Sequence, residues 1–210
     1  MLRILIADDH AIVRKGLKQI LLEEYPSAII EEVNDAEGVI KKTTRNEWDI
    51  IICDLSMPGR SGLEILKEVK QTYPGIRVLM LSMHPEDRFA VRAIKSGAAG
   101  YVTKESAAEE LVKAIRQVHS GGKFITPSLT EKIVNSFEPE SNRPFHERLS
   151  DRELQILNLI VAGKQIKDIA HELSLSPATV ATYRARVLEK MNMKSNVELT
   201  SYALRHHLID

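Results

Sequence analysis

The 210-residue chain has one cysteine, Cys53, and a formal net charge of +0. A lone thiol excludes an intramolecular disulfide framework. Zero net charge removes global basicity as a sign of nucleic acid, so any nucleic-acid surface must be local. No apolar run approaches the roughly 18 to 20 residues a membrane helix needs, and the first apolar run is too short for a signal peptide. A cytoplasmic protein with no membrane segment is the expectation. No long internal repeat is visible. No Gly-rich phosphate loop follows the first apolar run, which argues against a nucleotide-binding oxidoreductase.

What is present is an alternation. Short apolar runs, "RILIA", "AIIEEV", "DIIICDL", "IRVLMLS" and "AAGYVT", take turns with segments of helical period. In the first helical segment, "AIVRKGLKQILLEE", Ile12, Leu17, Ile20 and Leu21 fall largely on one face. Asp35 is placed to cap the second helix and Ser106 the fifth; Pro85 suits the first turn of the fourth, with Gly97 past its end. Five strand–helix repeats predict a doubly wound α/β domain with a five-stranded parallel sheet, ending near Thr126. The chain then changes character. "PSLTEKIVNSF" reads as one short helix, and "EPESNRPFHE", with two prolines and little apolar content, as a linker. From Leu149 onward four short helical segments predict a small all-α domain. The expected division is 1–126, a linker with a short helix over 127–148, and 149–210.

In an open parallel sheet, ligands sit beyond the carboxyl ends of the strands. That rule brings Asp8 and Asp9, Asp54, Ser82 and Lys104 to one rim. Adjacent carboxylates raise each other's cost of ionisation, so either a positive group sits between them or one of them is neutral. Clustered acids suit Mg²⁺, which prefers oxygen and often joins one or two carboxylates to a phosphate. Lys104 adds a fixed positive charge and Ser82 a hydroxyl, so an anion is expected there, and a carboxylate can accept a phosphoryl group. Cys53 sits one residue before Asp54 and should point to the opposite face as a buried thiol. His10 and His84 flank the rim, but no second His or Cys stands at metal spacing, so no transition-metal site is expected. Trp48 reads as a packing residue and Gly62 as serving loop geometry.

The stretches "ADDH", "CDLSMPGRSG", "LS" and "GYVTK" resemble the receiver domain of two-component response regulators, over Leu2 to about His119. The resemblance implies a flavodoxin-like fold with Asp54 as phosphoacceptor. It implies Mg²⁺ held by Asp9, Asp54 and the Ser56 backbone carbonyl, with Asp8 acting through a metal-bound water. Ser82 and Lys104 would hold the phosphoryl oxygens. Tyr101 matches the aromatic switch position, and the surface of the fourth helix, fifth strand and fifth helix would be the bistable element. The implied donor is the phosphohistidine of a sensor histidine kinase. Many receivers have Pro after the Lys, with a cis bond; here Glu105 follows Lys104.

In the second half, "KQIKDIAHELSLS" and "SPATVATYRARVLEKM" read as a helix-turn-helix, whose second helix enters the major groove of double-stranded DNA. Ser176 and Pro177 open that helix, Val180, Val187 and Met191 face the core, and Ala181, Thr182, Ala185 and Arg186 face out. Periodicity alone supports a small three- or four-helix interaction module with a solvated charged face equally well. "LSDRELQILNLIVAGKQIKDIAHELSLSPATV…LEKM" resembles the LuxR-type helix-turn-helix, in the arrangement of the NarL/FixJ family. Thr182 and Arg186 are expected at base edges, and Thr179, Arg184, Lys190 and Lys167 at phosphates. Three departures, Gln165-Ile166 after the Gly163 turn, Ala181 and Tyr183, keep the family's base contacts from being copied directly. The last helix would pair two such domains through Val197, Tyr202 and Ala203, as a homodimer on symmetric half-sites.

The whole reads as a phosphorylation-controlled, DNA-binding transcriptional regulator rather than an enzyme turning over a metabolite. A stand-alone aspartyl-phosphate phosphatase would want a second acid just after the nucleophile, and Leu55, Ser56 and Met57 supply none. The competing expectation keeps the fold but has DNA binding controlled by dimerisation or a protein partner.

Overall fold

The computed structural model describes residues 1–57, 59–83, 86–136, 144–206 and 208. The chain divides into two compact units, Met1–Phe137 and Glu138–Asp210.

The first unit alternates β1 (Arg3–Ala7), α1 (Ala11–Glu24), β2 (Ile29–Val33), α2 (Ala36–Arg45), β3 (Ile50–Asp54), α3 (Gly62–Thr72), β4 (Arg77–Ser82), α4 (Glu86–Lys95), β5 (Gly100–Thr103) and α5 (Ala107–His119), then adds α6 (Pro127–Asn135). All strand pairs are parallel, in the order β2-β1-β3-β4-β5. The winding direction reverses between β1 and β3, so a crevice opens beyond their carboxyl ends.

Burial explains the alternation. β3 is buried at all five positions, as a central strand covered on both faces must be. One sheet face, carrying Ile4, Ile6, Ile50, Ile52, Leu79, Leu81 and Val102, packs against Leu17 and Leu21 of α1 and Leu111, Ile115 and Val118 of α5. Side chains alternate along a strand, so Leu5, Ile51, Cys53, Met80 and Tyr101 serve the other face. Asp35 caps α2 by accepting from the Gly38 N–H at 2.7 Å, and Ser61 with Glu64 forms a reciprocal capping box at the start of α3. Gly97, at φ +99°, ends α4 in a left-handed turn that lets the Ala98 N–H reach the Ala93 carbonyl.

Two expectations are corrected here. Ile12 is 82 % exposed, because only Leu17 and Leu21 of α1 reach far enough over the sheet to be covered. Ser106 stands at the N-cap of α5 but in a helical conformation, and its hydroxyl caps nothing. It bonds Glu110 at 2.6 Å, while Thr103 Oγ1 accepts the Ser106 N–H at 3.1 Å. The readings for His84, for Pro85 and for the linker over 138–143 fall outside the described residues. α6 lies within the first unit: it packs on α4, with Leu129 fully buried and Lys95 Nζ donating to the Ser136 carbonyl at 2.9 Å.

The second unit opens with a 3-10 turn, Phe145–Arg148, and continues as α7 (Asp151–Val161), α8 (Ile166–Glu172), α9 (Pro177–Lys190) and α10 (Asn196–Arg205). Ser150 and Glu153 form the capping box of α7; Ser176 caps α9 through the Thr179 N–H, and Pro177 fills its first turn. Ile156, Leu157, Ile169, Val180, Val187 and Leu199 form its buried interior. Among the described residues, no helix is long and apolar enough to cross a membrane.

Candidate functional site

The crevice between β1 and β3 gathers the predicted groups. Asp8 follows β1 and Asp54 ends β3; both are buried, at 0 % and 1 % exposure. Lys104, next after β5, threads between them: its Nζ lies 2.7 Å from Asp8 Oδ2 and 2.9 Å from Asp54 Oδ2. The sheet sets this reach. Ser82 pairs with Thr103 across β4 and β5, and the Lys104 N–H donates to the Ser82 carbonyl at 2.7 Å, which fixes where the lysine stem starts. Ser82 is itself fully buried at the same strand end. The Ser56 N–H donates to Asp54 Oδ1 at a long 3.3 Å. The Lys104–Glu105 bond is trans, like every peptide bond among the described residues.

Burial pushes the Asp54 carboxyl above the ordinary carboxylate range, against the opposing pull of Lys104. Burial also works against the Lys104 charge, but Asp54 and Asp8 outweigh it and hold that ammonium above its usual range. Asp9, Asp8, His10 and Asp54 each offer one ligand atom, and these atoms lie within 4.8 Å of one another. Among the described residues, three carboxylates face one lysine and one histidine ring within ion-pair distance. That excess of negative charge in a mostly buried crevice suits a hard divalent cation, which this cluster can hold.

Tyr101, on β5 opposite Met80, is buried at 1 % exposure, so its ring already lies inside. Cys53 is fully buried on the other face of β3, and burial beside Asp54 pushes its thiol far above the usual range. Trp48 packs before β3, with its ring N–H donating to the Lys42 carbonyl at 3.2 Å. Gly62 does more than shape a loop: a Cβ there would stand 2.2 Å from the Asp54 carbonyl oxygen.

One residue at this site escaped the sequence reading. Arg14 Nη1 donates to the Asp8 carbonyl at 2.6 Å, while its Nε lies 3.6 Å from Glu32 of β2. Its place one turn into α1 was the available signal, since a first-turn side chain points back toward the strand end. His10 turns its ring over the acids, with Nδ1 2.8 Å from Asp9 Oδ1 and 3.2 Å from Asp8 Oδ1.

In the second unit, α8 and α9 form a helix-turn-helix. Ser174 takes φ +52° in the turn, and the Leu175 N–H closes it on the Ala170 carbonyl at 2.8 Å. Ala181, Thr182, Ala185 and Arg186 stand on the exposed side of α9, while Val180, Val187 and Met191 are buried. The Arg186 guanidinium lies 5.8 Å from the Tyr183 ring centroid. Thr182 bonds back to the Ala178 carbonyl at 3.0 Å, and Thr179 lies 2.8 Å from the Ser176 hydroxyl. Lys167 is exposed on α8. Two of the expected phosphate contacts have protein partners: Arg184 Nε donates to Asn196 Oδ1 at 2.7 Å, and Lys190 Nζ to Glu153 Oε2 at 2.7 Å. In α10, Tyr202 and Ala203 are buried rather than displayed; the Tyr202 hydroxyl lies 3.0 Å from His146 Nδ1. Val197 and Leu204 are the exposed apolar residues of that helix.

Residues 4–116 match the family described as the response regulator receiver domain, and residues 147–203 the family of bacterial regulatory proteins of the luxR type. The response regulator GacA of Pseudomonas viridiflava is 36 % identical over 211 aligned residues, covering 100 % of this chain and 99 % of that protein. The response regulator UvrY of Escherichia coli K12 is 36 % identical, covering 99 % of this chain and 96 % of that one. The structure of RcsB from Salmonella enterica serovar Typhimurium, bound to promoter rprA with the phosphomimetic BeF3−, superposes with a TM-score of 0.65 at 26 % identity, covering 96 % of this chain and 98 % of RcsB. The chain therefore belongs to the response regulators: it joins a receiver domain to a LuxR-type DNA-binding domain and is a transcription regulator of the two-component class.

Proposed function

We propose that Asp54 is the phosphoacceptor and that its phosphorylation by a sensor histidine kinase controls DNA binding through α9. The observation that carries this reading is the Lys104 ammonium shared by Asp8 and Asp54 at the sheet's switch point.

Phosphoryl transfer asks mainly for positioning and charge neutralisation. An Asp54 carboxylate oxygen forms the new P–O bond as the P–N bond of the phosphohistidine breaks, and the kinase imidazole leaves with a proton from water. Mg²⁺, when bound, would neutralise charge on the phosphoryl oxygens and the carboxylates. Asp9, Asp54 and the Ser56 carbonyl are its proposed protein ligands. Asp8, whose Oδ2 is held by Lys104, acts through a water. Lys104 exchanges its contact with Asp54 for a phosphoryl oxygen, and the Ser82 hydroxyl donates to another. Phosphorylation adds about −1.5 to −2 charges at this point. Drawing Ser82 toward that charge clears the space beside the Tyr101 ring, and the α4–β5–α5 surface carries the change outward.

The DNA-binding half supports the same reading. α9 displays Thr182 and Arg186 for base edges in the major groove, with Thr179, Arg184, Lys167 and Lys190 nearby for phosphates. Val197 and Leu204 on α10 offer the apolar surface for a homodimer on symmetric half-sites. The test is Asp54→Asn treated with acetyl phosphate and Mg²⁺. Intact-mass measurement should show one added phosphoryl group on the parent protein and none on the variant. A variant that labels as fully as the parent sinks the assignment.

A further inference from the structure

We infer that Arg152 is a positioning residue for DNA recognition. From the first turn of α7 its buried guanidinium holds the turn of the helix-turn-helix, and so sets where α9 starts and how it is aimed, without itself touching DNA. This rests on the proposed reading of α9 as the helix that meets base edges.

Arg152 is only 6 % exposed. Its Nη1 donates to Gln155 Oε1 at 2.7 Å, and its Nη2 to the Leu173 carbonyl at 3.1 Å. Leu173 is the C-cap of α8. The turn that follows closes by two bonds: the Ser174 N–H donates to the His171 carbonyl at 3.2 Å and the Leu175 N–H to the Ala170 carbonyl at 2.8 Å. This Schellman pattern takes up two of the carbonyls that a helix end leaves open. Arg152 takes up a further one, that of Leu173. Glycine usually fills the left-handed position of such a turn, but Ser174 stands there at φ +52°. Serine lacks glycine's freedom, so a bond from outside helps to hold the turn. Ser176, three residues after Leu173, caps α9. A short, conformationally fixed link therefore joins the carbonyl that Arg152 grips to the start of α9.

Physical chemistry points beyond a packing role. Burying a guanidinium carries a desolvation cost, and an apolar side chain of similar volume would fill the space without it. What the guanidinium adds is direction. It is planar and presents its donors in a fixed fork, so Gln155 on one nitrogen settles where the other points. The next residue completes the frame: Glu153 binds Lys190 Nζ at 2.7 Å, at the last residue of α9. Consecutive residues of one α7 turn thus hold α9 just before its start and again at its end. Thr182 and Arg186 lie between the two holds. Hydrogen bonds to base edges weaken steeply when misaligned, whereas contacts to phosphates carry no sequence information. A small tilt of α9 therefore costs specific binding more than nonspecific binding.

The experiment uses the full-length protein with Arg152→Met, Arg152→Lys and Gln155→Leu, and Arg186→Ala as the control for the reading of α9. Fluorescence anisotropy compares a duplex recovered by selection on the parent with a scrambled duplex, across a salt series, at a temperature where thermal unfolding shows each variant folded. Arg152→Met should lose about tenfold on the selected duplex, as for one good base contact, and stay within about twofold on the scrambled one. Its salt slope should match the parent's, because no phosphate contact is removed. Arg152→Lys, which has no fixed fork to span both acceptors, should show the same selective loss. Gln155→Leu should show a smaller loss in the same direction. If Arg152→Met does not fold, the other two variants decide. Unchanged binding, or equal loss on both duplexes, overturns the inference, and a reduced salt slope would place Arg152 at a phosphate instead. If Arg186→Ala keeps the parent's preference, the reading of α9 fails separately from the role of Arg152.

Discussion

Lys190 Nζ, near the end of α9, lies 2.7 Å from Oε2 of Glu153, a carboxylate in the first turn of α7 whose side chain is only 4 % exposed. The pair ties α9 to α7, against which it packs. Burial alone would raise the Glu153 pKa, but Lys190 and the Ser150 capping bonds outweigh it and hold the carboxyl below its ordinary 4.5. Lys190→Ala should cost about 1–3 kcal/mol, because it leaves a buried acceptor without its cation. The sign of the pH dependence follows from the depressed pKa: the stabilisation is present above pH 4.5 and is lost as pH falls through the lower folded value. Urea unfolding should therefore show parent and Lys190→Ala converging below pH 4.5, with Glu153→Gln removing most of the gap at neutral pH. A gap that persists into acid would mean the lysine acts through packing.

Two glycines should respond with opposite signs to the same change. At Gly62, in the first turn of α3, a Cβ would meet the Asp54 carbonyl oxygen at 2.2 Å and the Leu55 Cα at 2.9 Å. Both are backbone atoms, so Gly62→Ala must move the end of β3. The expected cost is about 1–3 kcal/mol, together with slower labelling by acetyl phosphate as Asp54 leaves the reach of Lys104. Gly16, in the middle of α1, has nothing within 4 Å of a built Cβ. Gly16→Ala should stabilise the fold by about 0.5–1 kcal/mol through backbone entropy. Thermal unfolding of both variants checks the pair, and equal signs would refute the packing argument at Gly62.

The contrast between those sites mirrors what was legible in the chain. The nearly all-apolar β3 announced a covered central strand, and the strand-end rule alone put Asp8, Asp54, Ser82 and Lys104 on one rim. Caps such as Asp35 and Ser176 were readable because they act on a donor three residues away. What escaped depends on partners distant in sequence. Lys190 and Glu153 are 37 residues apart, and Tyr202 and His146 are 56 apart. Periodicity tells which residues share a helix face but not what covers it. Ile12 therefore looked buried, and Tyr202 looked available to a second copy. His10 was visible as a histidine beside two acids, but the direction of its ring is a property of the folded α1 N-terminus.

Arg186 is the charged residue that the fold sets among Ala181, Thr182 and Ala185 on the outer side of α9, with its guanidinium 5.8 Å from the Tyr183 ring. A guanidinium partly fixed by an aromatic ring loses less freedom when it docks, and its fork suits bidentate contact with guanine. Arg186→Ala should then cost about 1–3 kcal/mol at a specific site and relax the preference at one base position, with little change on nonspecific duplex. Lys167, exposed on α8, should behave differently. Lys167→Ala should weaken binding to all duplexes alike and lower the slope of log K against log salt by about 1. Fluorescence anisotropy on a duplex recovered by selection, against a scrambled competitor and across a salt series, separates the two. Equal losses on both duplexes for Arg186→Ala, with a reduced salt slope, would move Arg186 from the base edges to the phosphates.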